Sequence, residues 1–273
     1  MTIKYIFSDI DGTLLNSHGQ VSMTNKRIIQ SCSQPLTLVS ARAPQEMLPI
    51  IDQLQLQTPQ IAFNGGVIFQ GNSNHWHSLA QKPLDFEVVA QMVLLISKYF
   101  PQVSLSFYSL HHWYTQRCDR GIKFEEQLVH QTATIINYRD FFKQAKHKLF
   151  KIMLITFDPE EMDRLQKFLR DLNISKINIQ QSGTEYLEIT SAAAQKAAGI
   201  QKILQQENLT VQEAMAVGDG ENDLSMLRLV GYPVAMANAN YKVRSTSRFV
   251  TKSNDDQGLG YAIEQLVNQS VWL

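Results

Sequence analysis

Only two cysteines, Cys32 and Cys118, occur in 273 residues, too few for the disulfide framework that staples small secreted domains. The fold must rest on a buried core, a reducing cytoplasm is the expected setting, and both thiols are expected as inert packing residues. An excess of charge of either sign is also missing. Twenty-five basic residues balance 25 acidic ones, so the chain has no overall positive field with which to displace counterions from a nucleic-acid backbone. No nucleic-acid partner is expected, while a small anion held at one local site is compatible with a neutral chain. Long hydrophobic runs are absent as well. The stretch Val88 to Phe100 carries Gln91 and Lys98 and falls short of the roughly 20 residues a membrane span requires. The apolar run ending at Phe7 meets Asp9 almost at once, unlike the longer apolar region of a signal peptide. No membrane role follows. There is no repeat of solenoid period and no low-complexity tract. What remains, with 44% hydrophobic and 18% charged residues, is the composition of an ordinary globular chain long enough to bury a sizeable core.

Short β-rich runs alternate with helical segments at both ends of the chain. Ile3 to Ser8 reads as a strand, Ser22 to Ser31 as a helix, Leu36 to Val39 as a strand, Pro44 to about Leu54 as a helix begun by proline, and Ile61 to Phe63 as a third strand. The tail repeats the pattern with a helix over Ala194 to Gln205, a strand over Ala214 to Val217 and a helix over Glu221 to Leu229. A strand over Tyr232 to Ala235 and a helix over Gln257 to Val267 complete it. Such alternation implies an α/β fold, one Rossmann-like parallel sheet covered on both faces, with ligands at the carboxyl ends of its strands. The middle differs: a long helix over Leu84 to Tyr99 and strands over Val103 to Tyr108, Leu149 to Phe157 and Lys176 to Gln181, with a helix over Pro159 to Leu172. The polar and apolar alternation of Val103-Ser104-Leu105-Ser106-Phe107 predicts an antiparallel sheet with one face exposed. The expected organisation is a core of residues 1–82 and 188–273 with an inserted α+β cap, or lid, of residues 83–187.

Two clusters of polar residues follow strands of the core. In Asp9-Ile10-Asp11-Gly12-Thr13 two carboxylates leave a strand on one side while Gly12 lets the backbone turn beneath them. A carboxylate ionised at neutral pH can attack phosphorus directly if a cation offsets its repulsion from the phosphate. The second carboxyl can carry a proton to the leaving oxygen, a task that calls for burial and a neighbouring negative charge. Taken alone, this string is equally a polar turn. It is not a calcium loop, because Thr13 and Leu14 stand where another ligand and the required glycine would be, and Gln20 replaces the final glutamate. Gly218-Asp219-Gly220-Glu221-Asn222-Asp223 follows a second strand and opens a helix, offering the hard oxygen ligands that Mg²⁺ requires, with Asp9 and Asp219 as direct carboxylates and Asp223 behind them. A solvated acidic helix start would account for Glu221 but not for the matching cluster at Asp9. The third glycine of a dinucleotide fingerprint is missing, and acidic side chains would repel a pyrophosphate.

With these residues in place the chain resembles the haloacid dehalogenase superfamily of phosphatases, in its Cof-type subfamily with a large cap between the second and third motifs. The resemblance spans nearly the whole chain. Asp9 to Thr13 matches the first motif, Ser40-Ala41-Arg42 the second, Lys196 the third and Gly218 to Asp223 the fourth. The resemblance implies Asp9 as nucleophile and metal ligand, and Asp11 as general acid and base that lends its backbone carbonyl to the metal. It implies Asp219, with Asp223, as the remaining metal residues. Ser40, Ala41, Arg42, Asn64, Lys196 and Asn222 would surround the phosphoryl group. Read alone, Lys196 is a solvated helix residue and Asn64-Gly65-Gly66 a tight turn. Family members often carry Gly in place of Ala41 and Ala197, and a backbone N–H survives both changes. The implied activity is Mg²⁺-dependent hydrolysis of small phosphorylated metabolites through an aspartyl phosphate. Phosphomutase or phosphotransferase chemistry on the same intermediate, and non-catalytic binding of a phosphorylated ligand, are the alternatives. His75, His77, His111 and His112 lack metal-ligand spacing, and Phe107, Tyr108 and Trp113 are expected in the core.

Overall fold

Tyr5–Ser8 (β1) is buried at every position, which is why its side chains show no alternation of apolar and polar: a strand covered on both faces has no wet side. The computed structural model of the protein describes residues 2–144 and 147–268. After β1 come helix α1 (Met23–Ser31), strand β2 (Leu36–Leu38), helix α2 (Pro44–Leu54), and strands β3 (Gln60–Ala62), β4 (Val67–Gly71) and β5 (Trp76–Gln81). Local chemistry sets these bounds. The Ser22 hydroxyl accepts from Asn25 N–H at 3.1 Å and starts α1, and Pro44 occupies the first turn of α2, where its missing N–H costs nothing.

The chain up to Gln81 forms one compact unit with the chain from Gln195 onward, and Lys82–Ala194 form another. The inserted unit holds α3 (Phe86–Tyr99), β6 (Ser104–Ser109), β7 (Trp113–Thr115), α4 (Arg120–Val129), β8 (Thr134–Ile135), α5 (Tyr138–Lys143), β9 (Leu149–Ile155), α6 (Pro159–Asp171), β10 (Ile177–Ser182) and β11 (Tyr186–Ser191). The first unit then resumes with α7 (Lys196–Gln206), β12 (Ala214–Gly218), α8 (Leu224–Leu227), β13 (Tyr232–Ala235), α9 (Tyr241–Thr246), β14 (Phe249–Val250) and α10 (Gly258–Ile263). The expected division at residues 187 and 188 would cut through β11, whose pairing with both β10 and β9 keeps it in the inserted sheet.

The first unit is built on a five-stranded sheet in the order β14-β13-β12-β1-β2, parallel throughout. Because β1 lies between β12 and β2, the connections diverge there and leave a crevice at the carboxyl ends, the place where open α/β sheets bind ligands. Tyr5, Phe7, Ile200, Ile203, Ala216 and Leu227 belong to one buried cluster under the sheet, each large apolar side chain contributing about 1.5–3 kcal/mol by leaving water. The expected third parallel strand departs from this plan. β3 meets the end of β2 at one isolated parallel bridge, Val39↔Ile61, and its ladder is antiparallel with β4, which pairs with β5. The cause is the turn after it, where Phe63, Asn64 and Gly65 all have positive φ, 50°, 55° and 102°, and send the chain back on itself. His77 lies on β5, with the His75 and His77 rings 6.3 Å apart on an exposed edge.

The inserted unit has a six-stranded sheet in the order β10-β11-β9-β6-β7-β8, antiparallel except between β7 and β8. One face, with Phe107, Ile152 and Leu154, shares a core with Val89 and Ile96 of α3 and Leu165 of α6. The other face is not the wet one expected from alternation. Ser104 and Ser106 are 5% and 0% exposed, because α4 covers Ser104 so closely that a β-carbon on Gly121 would run into its hydroxyl. On that face Tyr108 stacks on Trp113 with centroids 5.6 Å apart. The Lys151 ammonium sits 4.7 Å from the Tyr108 ring and 3.3 Å from a Glu188 oxygen. Cys118 is exposed, a loop residue ahead of α4 and not a packing one, and Cys32 is partly buried; both are free. Among the described residues, no helix is long and apolar enough to cross a membrane.

Candidate active site

Strands β1 and β12 run side by side in register Ser8↔Val217, so the next residues emerge together, and Asp9 N–H donates to the Val217 carbonyl at 3.0 Å. The loop after β1 is wound tightly, Leu14 and Leu15 N–H groups both bonding the Ile10 carbonyl at 3.0 and 2.9 Å. Gly12 sits at φ 76°, and a β-carbon there would run into the Asp219 carboxylate. Only glycine tolerates both the backbone angle and the approach. Thr13, fully buried, donates its hydroxyl to Asp219 Oδ1 at 2.8 Å, and Asn238 Nδ2 donates to the Gly12 carbonyl at 2.9 Å.

Lys196 is the first residue of α7 and is 2% exposed. Its ammonium donates to Asp9 Oδ1 at 2.6 Å and to Asp223 Oδ1 at 2.7 Å. The other oxygen of Asp223 accepts the Asp219 and Gly220 N–H groups, each at 2.9 Å, and no β-carbon would fit between Gly218 and the Asp223 carboxylate. Carboxylate oxygens of Asp9, Asp219 and Asp223 thus lie within 4.8 Å of one another. Electrostatics follow from the crowding. Burial, then the Asp223 charge, holds the Asp9 carboxyl well above the usual carboxylate range, with Lys196 opposing. The same causes in the same order push Asp219 to about 6, against the Thr13 hydrogen bond. Burial works against the Lys196 ammonium, yet Asp223 and Asp9 together hold its value above the ordinary one.

Of the other residues expected here, Ser40 is buried at the end of β2 and accepts Arg42 N–H at its hydroxyl, 3.1 Å away. Asn64, 5% exposed, donates its N–H to the Ser40 carbonyl at 2.8 Å. The Gly65 turn presses against the Gln195 backbone, where a β-carbon would not fit, and so braces the start of α7 that carries Lys196. Ala41 and Asn222 are partly buried, the latter on a single 3-10 turn over Glu221–Asp223, while Glu221 turns outward to Lys242 at 2.6 Å. Asp11 and Arg42 differ from expectation. The Asp11 side chain is 57% exposed and lies outside the three-carboxylate cluster. Arg42, expected on the phosphate, meets it with a two-pronged ion pair, Nε to Oδ2 at 2.8 Å and Nη2 to Oδ1 at 2.6 Å.

The donor set suits a hard divalent cation. Each oxygen is a carboxylate oxygen, and a cation would offset both the burial and the Asp223 charge that raise Asp9 and Asp219. Asp223 is the exception, since both its oxygens already take N–H donors. It holds the Asp219 loop and Lys196 in place, so Asp9 and Asp219 are the carboxylates better placed to offer an oxygen to a cation.

A family model described as haloacid dehalogenase-like hydrolase matches residues 6–263. The chain belongs to this family. A 5-amino-6-(5-phospho-D-ribitylamino)uracil phosphatase of Bacillus subtilis is 28% identical over 296 residues, covering 97% of this chain and 99% of the relative. A second phosphatase of that name in the same organism is 26% identical over 271 residues, with coverage of 97% and 96%. The crystal structure of a haloacid dehalogenase-like hydrolase from Bacteroides thetaiotaomicron superposes with a TM-score of 0.85 at 26% identity, covering 97% of this chain and 99% of that one. The resemblance read from the motifs is met, and this haloacid dehalogenase-like hydrolase is a phosphoric monoester hydrolase. Two of its site residues escaped the sequence. Thr13 stands inside the first motif but gave no sign of bonding Asp219 across the loop, and Asn238 follows β13 in a string without any motif. The strand order alone could have pointed to Asn238, as the loop after β13 opens at the same end as Asp9.

Proposed function

We propose that the protein hydrolyses small phosphorylated metabolites with Mg²⁺, through an aspartyl phosphate on Asp9. The observation that carries this reading is the position of the Asp9 carboxylate, buried at a strand end, 2.6 Å from the Lys196 ammonium and beside Asp219. Mg²⁺ held by Asp9, Asp219 and the Asp11 backbone carbonyl would, when bound, supply the positive charge that offsets repulsion between the carboxylate and the phosphate. Ser40, the Ala41 amide, Asn64, Asn222 and Lys196 orient and stabilise the phosphoryl oxygens. An Asp9 oxygen forms a bond to phosphorus as the bond to the ester oxygen breaks, and that oxygen leaves with the electron pair and takes a proton from Asp11. Water then attacks phosphorus, its proton going to the Asp11 carboxylate. The bond between phosphorus and Asp9 breaks, the carboxylate is restored, and phosphate departs. The free thiols of Cys32 and Cys118 suit a reducing cytoplasm.

A panel of phosphate esters ranked by kcat/KM, with inorganic phosphate as the readout, tests the reading and names the substrate. The ribitylaminouracil phosphate of the two Bacillus subtilis relatives belongs in it beside sugar phosphates, nucleotides and the phosphates of flavin and pyridoxal. Metal-dependent release of phosphate, lost in Asp9→Asn, is the expected result. Consumption of ester without free phosphate would mean transfer to another hydroxyl, and undiminished release by Asp9→Asn would refute the nucleophile.

A further inference from the structure

Arg42 engages Asp11 with two parallel bonds, 2.8 and 2.6 Å, yet the reaction as written gives it no step. Such a fork sets both the plane and the direction of a carboxylate, which a single contact does not do. It uses both Asp11 oxygens as acceptors, the form Asp11 takes once its proton has gone to the departing alcohol. Arg42 is itself anchored. Its N–H donates to the Ser40 hydroxyl at 3.1 Å, its carbonyl accepts from Phe63 N–H at 3.0 Å, and its side chain is 24% exposed against 57% for Asp11. The better buried and better tethered partner is the holder, and the freer one is held.

We infer that Arg42 is a positioning residue for the second half of the reaction, aiming the Asp11 carboxylate at the attacking water. The inference rests on the reading above, in which Asp9 carries the phosphoryl group and Asp11 moves the proton. In that step an O–H bond of water breaks and its proton goes to Asp11. The water oxygen bonds phosphorus, and the electron pair of the bond to Asp9 returns to Asp9. Formation of the aspartyl phosphate needs Asp11 as a donor with one oxygen turned to the ester, so the fork bears mainly on its breakdown.

Rapid-quench kinetics with a labelled phosphate ester separate the two halves. In Arg42→Gln, breakdown is expected to slow about 100-fold, the scale of a misplaced catalytic group. The labelled protein then accumulates, and kcat and KM fall together while kcat/KM stays within about twofold. Arg42→Lys keeps the charge without the fork and is expected to recover less than about a tenth of the lost rate. Thermal melting checks that both variants are folded. Full recovery in Arg42→Lys overturns the fork, and equal falls in kcat and kcat/KM without accumulated label overturn the role altogether. Failure of the underlying reading looks different: turnover by the unaltered enzyme would leave no label, or Asp9→Asn would still become labelled.

Discussion

Among the described residues each unit of the molecule buries one lysine, and the two lysines are not alike. Lys151 in the inserted unit is 3% exposed and lies 3.3 Å from a Glu188 oxygen and against the ring of Tyr108. Lys196 in the first unit is 2% exposed and is shared by Asp9 and Asp223, with Asp219 beside them. The first sets a lysine against a carboxylate and an aromatic ring on a sheet face that a helix covers. The second leaves negative charge in excess, which folding alone would not favour. An unbalanced buried cluster at the carboxyl end of a parallel sheet suits a cation and a reacting anion, and buried charge as such is not the mark of function.

The largest effect that would break this contrast is chemical. Asp9→Asn is expected to lower kcat by about 10⁵-fold or more, the scale of losing a nucleophile, with the circular dichroism of a folded protein retained. Lys196→Met is expected to cost about 10³-fold in kcat, as loss of one stabilising donor does. The matched change Lys151→Met should act on stability instead. It removes the ammonium 3.3 Å from the buried Glu188 carboxylate, at about 3–5 kcal/mol in chemical denaturation, and adding Glu188→Leu should recover part of that loss. A double change at Lys196 and Asp223 should recover no activity. If Lys151→Met reduced kcat as deeply as Lys196→Met, the distinction between the two sites would fail.

Acidity sharpens the contrast further. Without a divalent ion, burial and Asp223 raise the carboxyls of Asp9 and Asp219, the latter to about 6. A group raised on folding binds more protons in the folded chain, so its contribution favours folding at low pH. That contribution is lost as pH rises from the unfolded value near 4 through about 6. In EDTA the Tm should therefore fall between about pH 5 and about pH 7, and Mg²⁺, by binding the folded state, should close the gap at the upper end. A metal-free Tm that climbs across this window would contradict the crowding. The smallest expected effect is that of Thr13→Val, which removes the hydroxyl holding Asp219 and should weaken Mg²⁺ binding by about tenfold in titration calorimetry.

Much of this was readable in the sequence, for physical reasons. Helix starts at Ser22, Pro44 and Pro159 are local events, set by a capping side chain or a fixed backbone angle, and they fall within a residue of expectation. The buried strands ending at Asp9 and Asp219 were legible as apolar runs stopped by glycine and acid. The short strands β7, β8 and β14 were not, since two or three residues carry no period. Contacts between distant loops were equally silent. The exposure of Asp11, its bond to Arg42 and the Thr13 and Asn238 bonds depend on where loops meet, which spacing along the chain does not record.

The most direct measurement is to quench the enzyme in acid during turnover of a phosphate ester with Mg²⁺, reduce it with borohydride and sequence its peptides by mass spectrometry. Borohydride converts an aspartyl phosphate to homoserine, and the account predicts that change at position 9 and nowhere else. Homoserine at another aspartate, or none at all while phosphate is being released, would contradict it.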